Sequence, residues 1–300
     1  MTRRAFIDAE FTDESLARIA TCRRFLDEYA RQGVRASLRQ VYYRLVAANE
    51  IPNTPASYKA LSALLSKARL AGLIDWDAIE DRTRTPHVPP EYEGLDDLIE
   101  EALQRFRLRR WAGQPIYAEL MVEKDALSGL LRPIADEFHV PLVVNRGYAS
   151  QTAMHDSAER IRAACSGPLP RVPVVFYIGD HDPSGEDMLR DVRERFRLYG
   201  VDVNVLKVAL TKDQVLEHAL PPNPAKLKDT RAAGYVAEHG PYSWEVDALP
   251  PDVLVALVRG AFTFAVVQDI ADQVLRHEEE LRQTLSNALA SLRGDGPASS

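Results

Sequence analysis

Apolar and polar positions follow two different rhythms along this chain. Between Thr12 and Ala71 they recur every three to four residues in three short runs, Thr12 to Gln32, Ser37 to Ala48 and Ser57 to Ala71, each closed by Gly, Pro or Asn. That spacing predicts three amphipathic helices, with Ser37 placed to cap the second. From Pro115 onward, runs of strand character alternate with helical ones. Pro115 to Glu123, Val140 to Asn145, Val174 to Gly179 and Val201 to Leu210 read as strands. Helices are expected from about Lys124 to Phe138, from Ser150 to Ala164, and from a Ser184 cap to about Leu198. Strand and helix in alternation imply a compact parallel α/β domain.

The remaining stretches are connectors and ends. Gly72 to Arg84 suits the strands and wing of a winged-helix unit built on the three helices. Thr85 to Pro90 reads as an exposed connector, Leu95 to Trp111 as a linking helix, and Gly167 to Pro173 as a loop. Pro251 to Leu292 carries two helical patterns, whose apolar content around Phe262 to Val267 suits packing on the α/β domain or on another subunit. Gly294 to Ser300 is expected to be disordered, and no internal repeat is present. The expected domains are 1–112, 113–250, a helical extension over 251–293 and a tail over 294–300.

Three hundred residues suffice for two cores, and 46% hydrophobic with 27% charged is an ordinary globular balance. No run of about eighteen apolar residues and no charged-then-apolar leader occurs, so a cytoplasmic protein is expected, nucleoid-associated if it acts on DNA. Cys22 and Cys165 lie far apart without a Cys-x-x-Cys partner, which suggests neither a disulfide framework nor a zinc site. A net charge of −7 argues against nucleic acid binding over the whole surface, but the charge is uneven. Residues 31 to 74 hold seven basic side chains against Glu50 alone. Among them Arg35, Arg44, Lys59, Lys67 and Arg69 are candidate DNA contacts, the last two on or beside the third helix, where a winged helix enters the major groove. The plainer reading is a solvated basic helix face.

The candidate chemistry lies where strands end in acids. Val174-Val-Phe-Tyr-Ile-Gly-Asp-His-Asp-Pro-Ser-Gly-Glu186 runs from a buried strand into Asp180 and Asp182, and an earlier strand ends in Glu123. Ligands of open α/β sheets sit at the carboxyl ends of strands, and paired carboxylates there suit a hard cation such as magnesium. The same Asp-x-Asp-Pro-x-Gly turn also forms for local reasons alone. Asp125, Glu186 and Asp187 read as first-turn helix acids, and His181 is expected to point away from a metal held by its two neighbours. In its order of elements and acids the chain resembles the Toprim domain of topoisomerases, bacterial primases and several nucleases. That resemblance implies a Rossmann-like parallel α/β fold with magnesium, replaceable by manganese, held by Glu123, Asp180 and Asp182.

A second resemblance rests on Ser37-Leu-Arg-Gln-Val-Tyr-Tyr-Arg44, which is similar to the catalytic tyrosine segment of type IIB topoisomerase (topoisomerase VI) A subunits and their meiotic double-strand-break relatives. It implies Tyr43 as nucleophile on a DNA phosphodiester, joined to the 5′ end, and Arg39 as its phosphate ligand. Tyr42 and Tyr43 also read as a core pair, their side chains about 100° apart on a helix. Ser243-Trp-Glu-Val-Asp-Ala-Leu249 resembles a third segment of the same subunits, where Glu245 or Asp247 would support the metal site or orient a lysine such as Lys228; a structural salt bridge is the plainer reading. The family places the tyrosine of one subunit against the acids of the other, which implies a homodimer and a double-strand break. No Gly-x-x-x-x-Gly-Lys loop is present, so ATP-driven strand passage would need a separate ATPase subunit. The chain looks like a shortened, stand-alone A-subunit relative, of the sort found on mobile elements. Two rivals stand beside magnesium-dependent tyrosyl cleavage of DNA: a hydrolytic Toprim nuclease, and a non-catalytic DNA-binding or accessory protein.

Overall fold

Hydroxyl caps decide where the first helices begin. The computed structural model describes residues 4–31, 35–80, 89–224 and 232–294. α1 spans Asp13–Arg31, a two-residue strand β1 spans Ala36–Ser37, α2 spans Leu38–Ala47 and α3 spans Pro55–Leu70. Ser37 completes a capping box, its Oγ accepting from the Gln40 N–H at 3.3 Å while Gln40 Oε1 accepts from the Ser37 N–H at 2.8 Å. α3 starts two residues before the expected Ser57, because Thr54 caps it and Pro55, with no N–H to satisfy, suits the first turn. Ile19, Phe25, Leu26, Val41, Leu45, Leu61 and Leu65 form the core among these helices.

Of the expected wing, β2 (Ile79–Glu80) pairs in parallel with β1, Ala36 opposite Ile79. Residues 81–84 of that segment, and 85–88 of the connector, lie outside the described residues. Among the described residues the N-terminal unit is therefore three helices and a short parallel pair, without an antiparallel wing. α4 covers Leu95–Arg105 and stops six residues before Trp111. Phe106 turns extended there, and the Leu108 N–H donates to the buried Glu278 carboxylate at 2.7 Å.

Four parallel strands follow: β3 (Ile116–Val122), β4 (Leu142–Val144), β5 (Val172–Ile178) and β6 (Asn204–Ala209), in the order β4-β3-β5-β6. α5 (Ser128–Phe138), α6 (Gln151–Cys165) and α7 (Pro183–Leu198) cross between them. Alternation along β5 splits the core in two. Val175 and Tyr177 meet Met154, Ile161, Leu189, Val192 and Phe196 of α6 and α7. Phe176 and Ile178 join the opposite face, with Leu131, Leu254, Val258 and Phe262, and that core is continuous with the N-terminal helices. The remaining elements are α8 (Lys212–Glu217), β7 (Asn223–Pro224), α9 (Ala232–His239), β8 (Tyr242–Ser243), α10 (Pro251–Ala265) and α11 (Gln268–Gly294).

The two last helices bend 93° against one another. Buried Gln114 holds the break, donating to the Val267 carbonyl at 3.0 Å and accepting from the Val267 N–H at 2.8 Å. Among the described residues no single helix is long and apolar enough to cross a membrane.

One buried ion pair joins α6 to the sheet. Glu119 of β3 is fully buried and accepts from Arg160 Nε and Nη2 at 2.9 and 3.1 Å, from Ser157 Oγ at 2.5 Å and from the Tyr117 hydroxyl at 2.9 Å. Arg160→Ala leaves that carboxylate buried without its cation and is expected to cost about 2 kcal/mol, below the usual loss for a broken buried pair because the guanidinium is partly in solvent. The midpoint of urea denaturation checks it, with Glu119→Gln in the same background expected to recover part of the loss.

Candidate active site

β3 and β5 are adjacent and in register, Val122 opposite Ile178, so the residues that follow them emerge at one edge. The Glu123 N–H donates to the Ile178 carbonyl at 2.9 Å, and the Asp180 N–H donates to Glu123 Oε2 at 3.0 Å. Gly179 makes this contact possible, since a Cβ there would lie 2.6 Å from Tyr177 Cε1 and 2.7 Å from Glu123 Oε2. Burial, and then the charge of Asp180, raise the Glu123 carboxyl above its ordinary range. Burial raises Asp180 as well, although Lys124 and the Val246 N–H pull the other way.

On its other side Asp180 meets a lysine. Lys124 Nζ lies 2.8 Å from Asp180 Oδ1, 3.1 Å from Glu245 Oε2 and 3.2 Å from Asp247 Oδ2. Asp180 Oδ1 also accepts from the Val246 N–H at 2.8 Å, which draws the 243–249 segment onto the strand end. Glu245 Oε2 accepts from Arg39 Nη1 of α2 at 2.6 Å, and the guanidinium stands 3.8 Å from Asp247. Burial opposes ionisation of Glu245, but Lys124 and Arg39 hold its carboxyl below the usual range. The lysine held by Glu245 and Asp247 is thus Lys124; Lys228, the one expected, lies outside the described residues.

Tyr43 projects from α2 beside Arg39. Its ring is buried, and burial followed by the charge of Glu245 raises the phenol above its ordinary range, with Asn223 alongside. Tyr42 is turned to the start of α3, where its hydroxyl donates to Asn53 Oδ1 at 3.0 Å and to the Thr54 carbonyl at 3.1 Å. Asn53 in turn donates to Asn223 Oδ1 at 2.8 Å. Arg39, Tyr43, Asn53, Thr54, Asp182 and Glu245 are among the residues lining one cavity of about 540 Å³. Tyr43 and Arg39 therefore lie beside Glu245 and Asp182 of their own chain.

Asp182 has a second task. It, not Ser184, caps α7, its Oδ1 accepting from the Gly185 N–H at 2.6 Å. His181 is buried against Tyr235, His239 and Trp244. Glu186 does more than cap a helix dipole: it contacts His181 Nδ1 at 3.1 Å and Lys207 Nζ at 2.5 Å. Burial alone would raise its carboxyl, but His181 and Lys207 prevail and bring it from 4.5 down to about 2. A depressed acid lends stability that is complete above the unfolded value of 4.5 and lost as pH falls toward about 2. Glu186→Gln is accordingly expected to lower the melting temperature at about pH 6 and to make little difference at about pH 2, as thermal melts across pH will read. Asp125 pairs with Arg146 at 3.1 Å.

The basic residues are only partly available to a ligand. Lys67 Nζ donates to the Glu10 carbonyl at 2.8 Å over the Phe11 ring, and Arg69 donates to the Trp76 carbonyl at 2.5 Å while stacking on its indole. Arg44 stands 3.7 Å from Glu28. Lys59 and Arg35 are exposed. The expected footprint thus divides into internal ties and two open side chains.

Of the three expected metal ligands, the structure brings Glu123 and Asp180 into contact and leaves Asp182 at the helix cap. Among the described residues no three Asp, Glu, His or Cys side chains gather closely enough to hold a metal ion as they stand. The donor chemistry nonetheless fits a hard cation. Glu123 and Asp180 are adjacent buried oxygen donors whose repulsion a divalent ion relieves, and Asp182 borders the same strand end. Sequence reasoning missed Lys124, and its position directly after a strand-end acid was the available signal. No family model and no curated protein sequence matches the chain.

Proposed function

We propose that this chain cleaves DNA by transesterification at Tyr43, as its resemblance to Toprim proteins and type IIB topoisomerase A subunits implies. The observation that carries the reading is the shared cavity. Arg39 and Tyr43 of the N-terminal helices line it together with Asp182 and Glu245 of the sheet edge, residues more than a hundred positions away in sequence. About 540 Å³ is room for a phosphodiester and its flanking sugars. The start of α3, marked by Thr54 and Pro55, opens on the same cavity and adds a helix N-terminus for a phosphate.

In this reading Tyr43 Oη attacks phosphorus, a new O–P bond forms, and the bond to the 3′ oxygen breaks, leaving a 5′-phosphotyrosyl end and a 3′ hydroxyl. Glu245 is the carboxylate placed to take the phenolic proton, and the 3′ oxygen gains one from water. Arg39 binds the phosphate and stabilises its extra charge. Glu123 and Asp180 would hold a magnesium or manganese ion, which would supply Lewis-acid neutralisation of that charge. Lys59 and Arg35 contact the duplex backbone, and two chains on one duplex give a double-strand break.

The test is supercoiled plasmid incubated with the protein and magnesium or manganese, quenched with SDS and resolved with and without protease. Cut DNA that migrates slowly until protease is added supports the proposal. Cut DNA indifferent to protease makes the chain a hydrolytic nuclease, and salt-sensitive binding without cutting makes it a binding protein.

A further inference from the structure

Glu123 and Lys124 are consecutive, and the backbone at Lys124 is extended (φ −111°, ψ 126°), so their side chains leave on opposite sides. Both nevertheless reach Asp180: Glu123 through the Asp180 N–H, Lys124 through Oδ1. Asp180 thus stands between two groups of carboxylates. On one side is Glu123; on the other are Glu245 and Asp247, with the ammonium of Lys124 within 3.2 Å of each of Asp180, Glu245 and Asp247, while Asp182 lines the cavity it shares with Glu245. Among the described residues the cations paired with these acids are Arg39 and Lys124.

The two cations differ in kind. Arg39 is 43% exposed on the cavity side and touches only the outer acids, where a ligand can compete for it. Lys124 is 18% exposed and sits at the centre of its group. An ammonium withdrawn from water is costly unless carboxylates surround it, and three do. Asp247 supplies an independent sign that this pocket is built for positive charge. Its side chain is fully buried, and among the described residues its Oδ1 has no hydrogen-bond partner, so that carboxylate oxygen is faced by the charges of Lys124 and Arg39 alone among those residues.

We propose that Lys124 is a resident cation for Asp180, Glu245 and Asp247, so that the chain takes a single divalent ion, on the Glu123 side of Asp180. The proposal rests on the reading of the strand-end acids given above and specifies how many metal ions they accept. It also assigns Lys124 a positioning role: through Glu245 it keeps Arg39, and with it the Tyr43 helix, against the sheet edge. Removing the ammonium leaves Asp180 Oδ1, Glu245 Oε2 and Asp247 Oδ2 gathered without it, beside the unpartnered Asp247 Oδ1, a set suited to a second hard cation.

Manganese binding to the full chain, counted by electron paramagnetic resonance of the free ion, tests this. Lys124→Gln is expected to bind one more Mn²⁺ per chain than the unmodified protein, and adding Asp247→Asn is expected to remove that ion. Lys124→Arg, which keeps the charge, should leave the count unchanged. An equal count in Lys124→Gln and the unmodified protein overturns the proposal, as does a second ion bound by the unmodified protein. If Lys124→Gln unfolds in EDTA, its melting temperature is expected to rise on adding Mn²⁺ by more than that of Lys124→Arg; equal shifts overturn the proposal. The count for the unmodified protein separately tests the metal reading, which fails at zero ions whatever Lys124→Gln does.

Discussion

Tyr43→Phe is expected to abolish the covalent protein–DNA complex and to lower DNA cleavage by on the order of 10⁴-fold or more, because it removes the proposed attacking oxygen, together with that hydroxyl's bonds to Asn223 and Glu245. The ring stays where it is. It is buried, and it packs edge-on against Tyr42 at 5.2 Å between centroids, contacts that phenylalanine keeps. Unchanged melting temperature and unchanged salt-dependent DNA binding would separate loss of the nucleophile from loss of the fold. Retention of cleavage would transfer the chemistry to water and leave Tyr43 a core residue. A mixing experiment bears on the geometry. Tyr43 faces Glu245 of its own chain, so mixing Tyr43→Phe with Asp180→Ala protein is expected to restore no cleavage. Restoration would mean that the tyrosine acts on the acids of a partner.

Gly185→Ala is expected to be the most damaging small substitution at the sheet edge, costing about 3 kcal/mol of stability and disordering the acids. A Cβ at this position would lie 2.4 Å from the Asp180 carbonyl oxygen, and a backbone atom cannot rotate aside as a side chain would. Either the start of α7 lifts away, breaking the Asp182 cap, or the Asp180 peptide turns and loses its 2.9 Å bond from Lys207 Nζ. Both routes move a proposed ligand. Gly167→Ala is the control, since nothing stands within 4 Å of its added carbon. Equal melting temperatures for the two variants would show that the helix start yields more easily than its contacts indicate.

How legible these features were in the chain depended on their range. The capping box at Ser37 and Gln40 depends on residues three apart, and the pattern located it. The cap of α7 is Asp182, not the expected Ser184, because Pro183 and the Gly185 N–H set the helix start two residues earlier. The linking helix stops at Arg105, short of Trp111, and the chain beyond it is tied at Leu108 to the carboxylate of Glu278, 170 positions away. Lys67 and Arg69 looked like a ligand-facing pair. Their partners, the Glu10 and Trp76 carbonyls, are backbone groups that no composition or spacing reveals.

The sequence by itself determined the three N-terminal helices, the alternation of strand and helix, and the presence of acids after the first and third apolar segments of that alternation. Each follows from local periodicity, a cap or a turn, interactions that span a few residues. Only the tertiary structure decided which acids meet and which cation they hold. The parallel register of β3 with β5 sets Glu123 beside Asp180, and the 243–249 segment closes over them through the Val246 N–H, delivering Glu245 and Asp247 to Lys124. The same packing carries Arg39 and Tyr43 to that edge from about two hundred residues upstream. The energy of such contacts depends on burial and on distance in space, and neither quantity is written in the order of residues along a chain.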